Sequence, residues 1–209
     1  IDTTEDHPCP PICGVDTHSQ DGVFTDSAKI TEYIEKLGID NSRPILNWIA
    51  FKNTPPEGLF AAENVGVQFS KICRGEWRYD AKSQSYLRWI EQDLNINLMV
   101  PLVDKNTGET LLFRNVIILF ADYIIYTPTL YDIEIWNNKE GKRAALFRDG
   151  FIQEGIWKVC DDKHPIQLFD TADNPLYLKP GNTWIIIAST QTTLDSVVDG
   201  KWEMKFALP

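Results

Sequence analysis

From about residue 61 onward the chain repeats one pattern: a short β-branched or aromatic run, a turn signal, then another run. This rhythm limits the fold more than composition does, because each run must bury a face and each turn reverses the chain. Residues 65–70 alternate apolar and polar positions, and 75–79 and 86–90 flank the polar stretch 80–85. Residues 116–120 and 123–126 are apolar and aromatic, separated near Asp122. Residues 131–136 alternate strictly, with Tyr131, Ile133 and Ile135 on one face and Asp132, Glu134 and Trp136 on the other. Asp149-Gly150 stands between the runs 143–148 and 151–159, and this dipeptide suits the two left-handed positions of a type I′ hairpin turn. Residues 183–188 are continuously apolar, as in a central strand. Asp199-Gly200 starts a last run, 201–206. These signals predict about ten strands and one helix. The fold class is α+β: a β-rich antiparallel sandwich or open barrel with one N-terminal helix.

The first sixty residues obey a different grammar. Residues 1–21 are rich in Pro, Asp and Thr and carry Cys9-Pro-Pro-Ile-Cys13, which reads as an irregular arm. Thr25-Asp26-Ser27 offers N-caps, Ile30, Tyr33, Ile34 and Leu37 follow at helical spacing, and Gly38 is a stop, so a helix is expected over about 27–37. Pro44, Pro55, Pro56 and Gly58 make 41–60 a linker with a short extended piece at 45–51. The expected division is therefore an arm, helix and linker over 1–60 and a β-rich domain over 61–209.

Charge narrows the partners. The 209 residues hold 20 Lys and Arg against 30 Asp and Glu, a formal charge of −10, which argues against nucleic acid or an anionic membrane surface. No apolar run approaches the roughly 18–20 residues that cross a bilayer. The chain opens on Ile1 without a basic-then-apolar leader, which reads as a processed product or an excised fragment.

A set of motifs in fixed order resembles a known family. Asp80-Ala81-Lys82-Ser83 with Tyr86-Leu87-Arg88 is followed by 103–109 (VDKNTGE) and by Asn115-Val116-Ile117-Ile118. Then come Phe147-Arg148-Asp149-Gly150 with Glu154-Gly155-Ile156-Trp157, Phe169-Asp170 with Asn174-Pro175, and 178–185 (LKPGNTWI). The order and spacing resemble the C-terminal half of the YerB-like bacterial extracytoplasmic lipoproteins, a family of unknown function, best over 75–188. The family's N-terminal portion and lipid-attachment Cys are not visible here, and the tail runs on past Ser189. The resemblance implies an extracytoplasmic, cell-envelope location with membrane anchoring in the full-length protein. It implies no reaction.

Several residue groups are candidate sites, each with a structural alternative. Arg148 can clamp an anion, with Asp149 or Glu154 as acid or base; alternatively Asp149-Gly150 only makes the turn while Arg148 and Glu154 pair across strands. Asp122, inside an apolar run, is either a perturbed acid or a solvent-facing residue. Trp77, Tyr79, Tyr86, Trp89 and Trp136 can present an aromatic face to a glycan, or they can fill the core. His7, Cys9, Cys13 and His18 have the chemistry of zinc ligands without the usual paired spacing, so no metal or cofactor is expected. Cys9, Cys13, Cys73 and Cys160 permit three disulfide pairings or four thiols. His164 lies in an acidic loop with Asp161 and Asp162. There is no nucleophile elbow, Walker loop or dinucleotide fingerprint. The expectation is a non-catalytic envelope domain that binds a protein partner or a cell-wall glycan. The alternative is a hydrolase or transferase acting on cell-wall material, with Asp122, Arg148, Asp149 and Glu154 as its first candidates.

Overall fold

The computed structural model describes residues 12–14, 23–25, 27–39, 49–55, 57, 59–93, 95–128, 130–136, 138–159 and 166–209. The chain divides into two units, Ile1–Ile45 and Leu46–Pro209.

In the first unit β1 (Ile12–Gly14) pairs antiparallel with β2 (Val23–Thr25), and α1 (Ser27–Lys36) follows. The Thr31 hydroxyl donates to the Ser27 carbonyl at 3.0 Å. Gly38 takes a left-handed φ of 64°, and the amides of Gly38 and Ile39 bond back to the carbonyls of Glu35 and Ile34. The glycine stop read from the sequence therefore ends the helix, since only a residue without Cβ takes this conformation at no cost.

The second unit carries β3 (Phe60–Ser70), β4 (Cys73–Asp80), β5 (Ser85–Asp93), β6 (Leu98–Pro101), β7 (Leu112–Phe113), β8 (Asn115–Thr127), β9 (Leu130–Glu134), β10 (Lys142–Arg148), β11 (Phe151–Lys158), β12 (Gln167–Phe169), β13 (Thr183–Ser189), β14 (Thr193–Val198) and β15 (Gly200–Lys205). The main path runs β13-β8-β10-β11-β3-β4-β5-β6 and curls into an open half-barrel. β3 joins the parts of the path: Phe60 and Ala61 pair with β11, and from Ala62 onward the strand pairs with β15 and from Asn64 with β4. The β-rich α+β class read from the sequence is what the chain adopts.

β8 explains the two cores. Val116, Ile118 and Phe120 face a cluster with Val65, Trp77, Tyr86, Phe147, Ile186 and Met204. Ile117, Leu119 and Ala121 face a second cluster with Leu146, Trp157, Leu176 and Leu178. A strand buried on both faces reads as a continuous apolar run, not an alternating one. The two runs expected at 116–120 and 123–126 are one strand. Asp122 falls where β8 leaves its neighbours β13 and β10 and continues with β9 alone.

Three expectations need correction. The run 183–188 is β13, the last strand on its side of the sheet rather than a central one. Its apolar character comes from packing both faces: Ile186 and Ala188 lie in one core and Ile187 against the other. The pairing is not antiparallel throughout, since β13 lies parallel to β8 and β15 parallel to β3. The chain returns to the start of β8 before entering β13, and the Arg114 amide bonds to the Asn182 carbonyl there. Finally, β14 lies where no strand was expected.

Candidate functional site

The family-like motifs converge on one buried charged joint. Asp149 and Gly150 take φ values of 54° and 80°, the left-handed pair that a type I′ turn requires. A Cβ on Gly150 would lie 3.0 Å from the Tyr79 ring. The turn carries Arg148, only 1% exposed, beside the Asp149 carboxylate. Arg148 Nε and Nη2 both reach Asp149 Oδ2, at 2.8 and 2.7 Å, and Lys179 Nζ donates to Oδ1. Lys179 also donates to Gln84 Oε1 at 3.2 Å. Gln84 sits at φ 51° in the β4–β5 turn, where the Ser83 amide bonds Asp80 Oδ2 at 2.8 Å. Asn115 pins the Lys179 backbone, donating to its carbonyl and accepting from its amide, each at 2.8 Å. Tyr86 donates to the Ala62 carbonyl at 2.8 Å, and burial pushes its hydroxyl pKa well above the ordinary value.

This arrangement ties the β10–β11 turn to Lys179 and to the loops at Thr54 and Tyr177. Both oxygens of Asp149 are occupied by buried cations. The other Arg148 donors reach the carbonyls of Tyr177 and Thr54 at 2.8 and 3.0 Å. Asp149 and backbone carbonyls thus engage Nε, Nη1 and Nη2 of Arg148, which also borders a small pocket of about 190 Å³ with Lys52, Glu57 and Tyr177. The expected Arg148–Glu154 pair does not form. Arg148 points into the turn, whereas Glu154 stands on the exposed face of β11 and pairs with Arg143 at 2.5 Å. Asp122 is a solvent-facing carboxylate bonded to Lys142 at 2.6 Å. The four catalytic candidates thus fall into three separate ion pairs.

A larger opening lies on the other side of β8 and β13. It is an apolar groove of about 590 Å³ floored by Ile117, Leu119 and Ile185 and walled by Phe51, Leu168 and Leu178. Among the described residues no ionisable side chain lines it. Ile185 is 48% exposed. Among the described residues β13 pairs only with β8, which leaves its outer edge open along the groove. The sequence singled out none of this, because an apolar edge strand and an apolar central strand look alike.

The aromatic candidates disperse. Trp77 and Tyr86 are buried in the core, and Tyr79 is half-buried against Tyr86 with ring centres 5.3 Å apart. Trp89 lies under the Arg78 guanidinium at 4.1 Å. Trp136 is 64% exposed. Arg88 faces inward over Trp77 at 4.0 Å, and burial lowers its pKa to about 10. Cys73 is a free, exposed thiol. His7, Cys9, His18, Cys160, Asp161, Asp162 and His164, and the side chain of Cys13, lie outside the described residues. Among the described residues no three His, Cys, Asp or Glu side chains are grouped to hold a metal ion. No described helix is long and apolar enough to cross a membrane.

Comparison with known proteins agrees with the motif reading. The chain is similar to the crystal structure of the YerB protein from Bacillus subtilis, with 22% identity and a TM-score of 0.64, over 85% of this chain and 56% of that one. It therefore spans just over half the length of that structure. No curated protein matches the chain. A family model described as the C-terminal domain of a protein of unknown function, DUF3048, matches residues 65–185. Those residues hold the β4–β5 turn, the Asp149 joint and most of the groove, and on them the chain belongs to the DUF3048 C-terminal domain family.

Proposed function

We propose that the chain is a non-catalytic, extracytoplasmic binding domain of the cell envelope that captures an extended, uncharged segment of a partner protein along β13. One observation carries the reading: a seven-residue strand without a charged side chain has an open edge beside an apolar groove. An edge strand presents a row of backbone donors and acceptors, and proteins usually protect such edges with Lys, Pro or a covering element. A peptide added as a new strand satisfies that row, and every second side chain of the peptide falls into the groove. The missing charge specifies the guest. On a chain of net charge −10, a groove lined by no ionisable group among the described residues favours a neutral, aliphatic or aromatic segment. The same lack of acids, bases and nucleophiles supports binding over hydrolysis or transfer. The envelope location rests on the family resemblance.

The experiment is selection of random nonapeptides from a display library on the wild-type protein and on Ile185→Lys. The expected result is an enriched set with uncharged, apolar residues at every second position. Its binding falls at least tenfold on Ile185→Lys, and the β13 amides gain hydrogen-exchange protection in the complex. Enriched peptides that bind the variant equally well overturn the proposal, as does the absence of enrichment. Retention on purified peptidoglycan that survives Ile185→Lys overturns it in favour of a glycan.

A further inference from the structure

The open edge of β13 closes before the strand ends. At its start the Asn115 amide bonds the Asn182 carbonyl, and just past its end the Thr190 amide bonds the Ala121 carbonyl. Backbone groups along a strand turn to its two edges in alternation. The even-numbered residues from Asn182 to Thr190 therefore turn theirs to β8, and Thr183, Ile185, Ile187 and Ser189 turn theirs outward. These four outward positions are not alike. The groove runs beside Gly181, Thr183 and Ile185, and Ile185 is 48% exposed. The Ile187 carbonyl already accepts the Tyr123 hydroxyl at 3.2 Å. Ser189 is 0% exposed.

Packing holds this stop in place. The Tyr123 ring lies against the rings of Tyr131 and Phe206, with centres 5.4 and 6.0 Å apart. The Ser189 hydroxyl donates to the Ala207 carbonyl, and the Ala207 amide bonds the Thr192 hydroxyl at 3.2 Å, which lays the stretch after β15 over the end of β13. A guest strand continuing past Ile187 meets an acceptor already in use and then a covered residue. Each of its N–H groups left without an acceptor there costs free energy. The other end has no such barrier, since Gly181 is exposed and lines the groove.

We infer that the groove takes the amino-terminal end of its partner, with the first residue opposite Ile187 and the chain leaving past Gly181. This rests on the β13 reading given above. A lane closed at one end admits a chain terminus and rejects a segment that runs through. Pairing decides which terminus: parallel pairs are slightly less stable per residue than antiparallel ones. An antiparallel guest runs opposite to β13 and so begins at the closed end. The carbonyl of its first residue accepts the Ile187 amide. Its terminal ammonium has no fixed peptide N–H direction and can turn to water instead of the occupied Ile187 carbonyl. The first, third and fifth guest side chains fall on the face that Ile187, Ile185 and Thr183 share, so about five residues fill the lane.

The test is calorimetric titration with a hexapeptide that alternates valine and serine, valine first. It is compared with the same peptide extended by Gly-Ser-Gly-Ser at the amino end or at the carboxyl end. On the wild-type protein the amino-terminal extension is expected to weaken binding at least tenfold and the carboxyl-terminal one to change it less than twofold. Tyr123→Ala is expected to restore most of the affinity of the amino-extended peptide. The comparison on the wild-type protein gives its reading even if that variant fails to fold. Equal binding of the two extended peptides, or a loss confined to the carboxyl-terminal extension, overturns this proposal; if Ile185→Lys abolishes that binding, the β13 reading survives it. No binding by any of the three, or binding that Ile185→Lys leaves unchanged, overturns both.

Discussion

The Asp149 joint and the exposed ion pairs of the same sheet use the same residue types to opposite effect. At the joint one carboxylate serves Arg148 and Lys179, all three side chains are buried, and backbone carbonyls take the remaining Arg148 donors. On the exposed faces, Arg143–Glu154 and Lys142–Asp122 are two-body contacts in water. Buried charges in a closed network hold a fold in one geometry because breaking one leaves the others unpaired in a low dielectric. Exposed pairs hold little, because water competes for both partners. The four charged candidates thus stand in two different settings, and the candidate binding groove lies beside the strand edge left open among the described residues.

Three substitutions break or sharpen this contrast. Asp149→Asn keeps a side chain that tolerates positive φ but removes the charge between two buried cations. It is expected to cost about 3–5 kcal/mol in urea unfolding, and a loss below 1 kcal/mol would place the joint with the surface pairs. Tyr86→Phe removes a buried hydroxyl donor to Ala62 and is expected to cost about 0.5–1.5 kcal/mol at neutral pH. Tyr86 also gives the buried region a pH signature. Its folded pKa is raised above the ordinary value of 10.0, so its contribution is fully present below pH 10 and is lost as pH rises beyond that. The variant should therefore show a flatter decline of stability above pH 10; an unchanged alkaline limb would contradict this assignment. Glu154→Gln opens an exposed pair and is expected to change stability by less than about 0.5 kcal/mol. A larger loss would mean that the Arg143 contact is coupled to the core, where its guanidinium lies 4.6 Å from the centre of the Phe120 ring.

Local chemistry was legible in the residues. Asp149-Gly150 predicted a left-handed turn and adopts one. Ser27 and Gly38 bracket the helix, and Asp80 through Ser85 close the β4–β5 turn. Partnership was not legible. Arg148 and Glu154 are close in sequence and of opposite charge, yet Arg148 pairs with its neighbour Asp149, whose other oxygen takes Lys179, thirty residues away. Trp77 and Tyr86 have the composition of a binding face, but the curl of the sheet turns them inward.

By itself the sequence determined the β-rich class, the turn positions, the helix and the family, since these depend on spacing within a few residues. The tertiary structure decided which apolar strand ends the sheet and which charges are closed off. Those outcomes depend on contacts between residues far apart in the chain, and the curl of the sheet and the parallel returns of β13 and β15 bring them together.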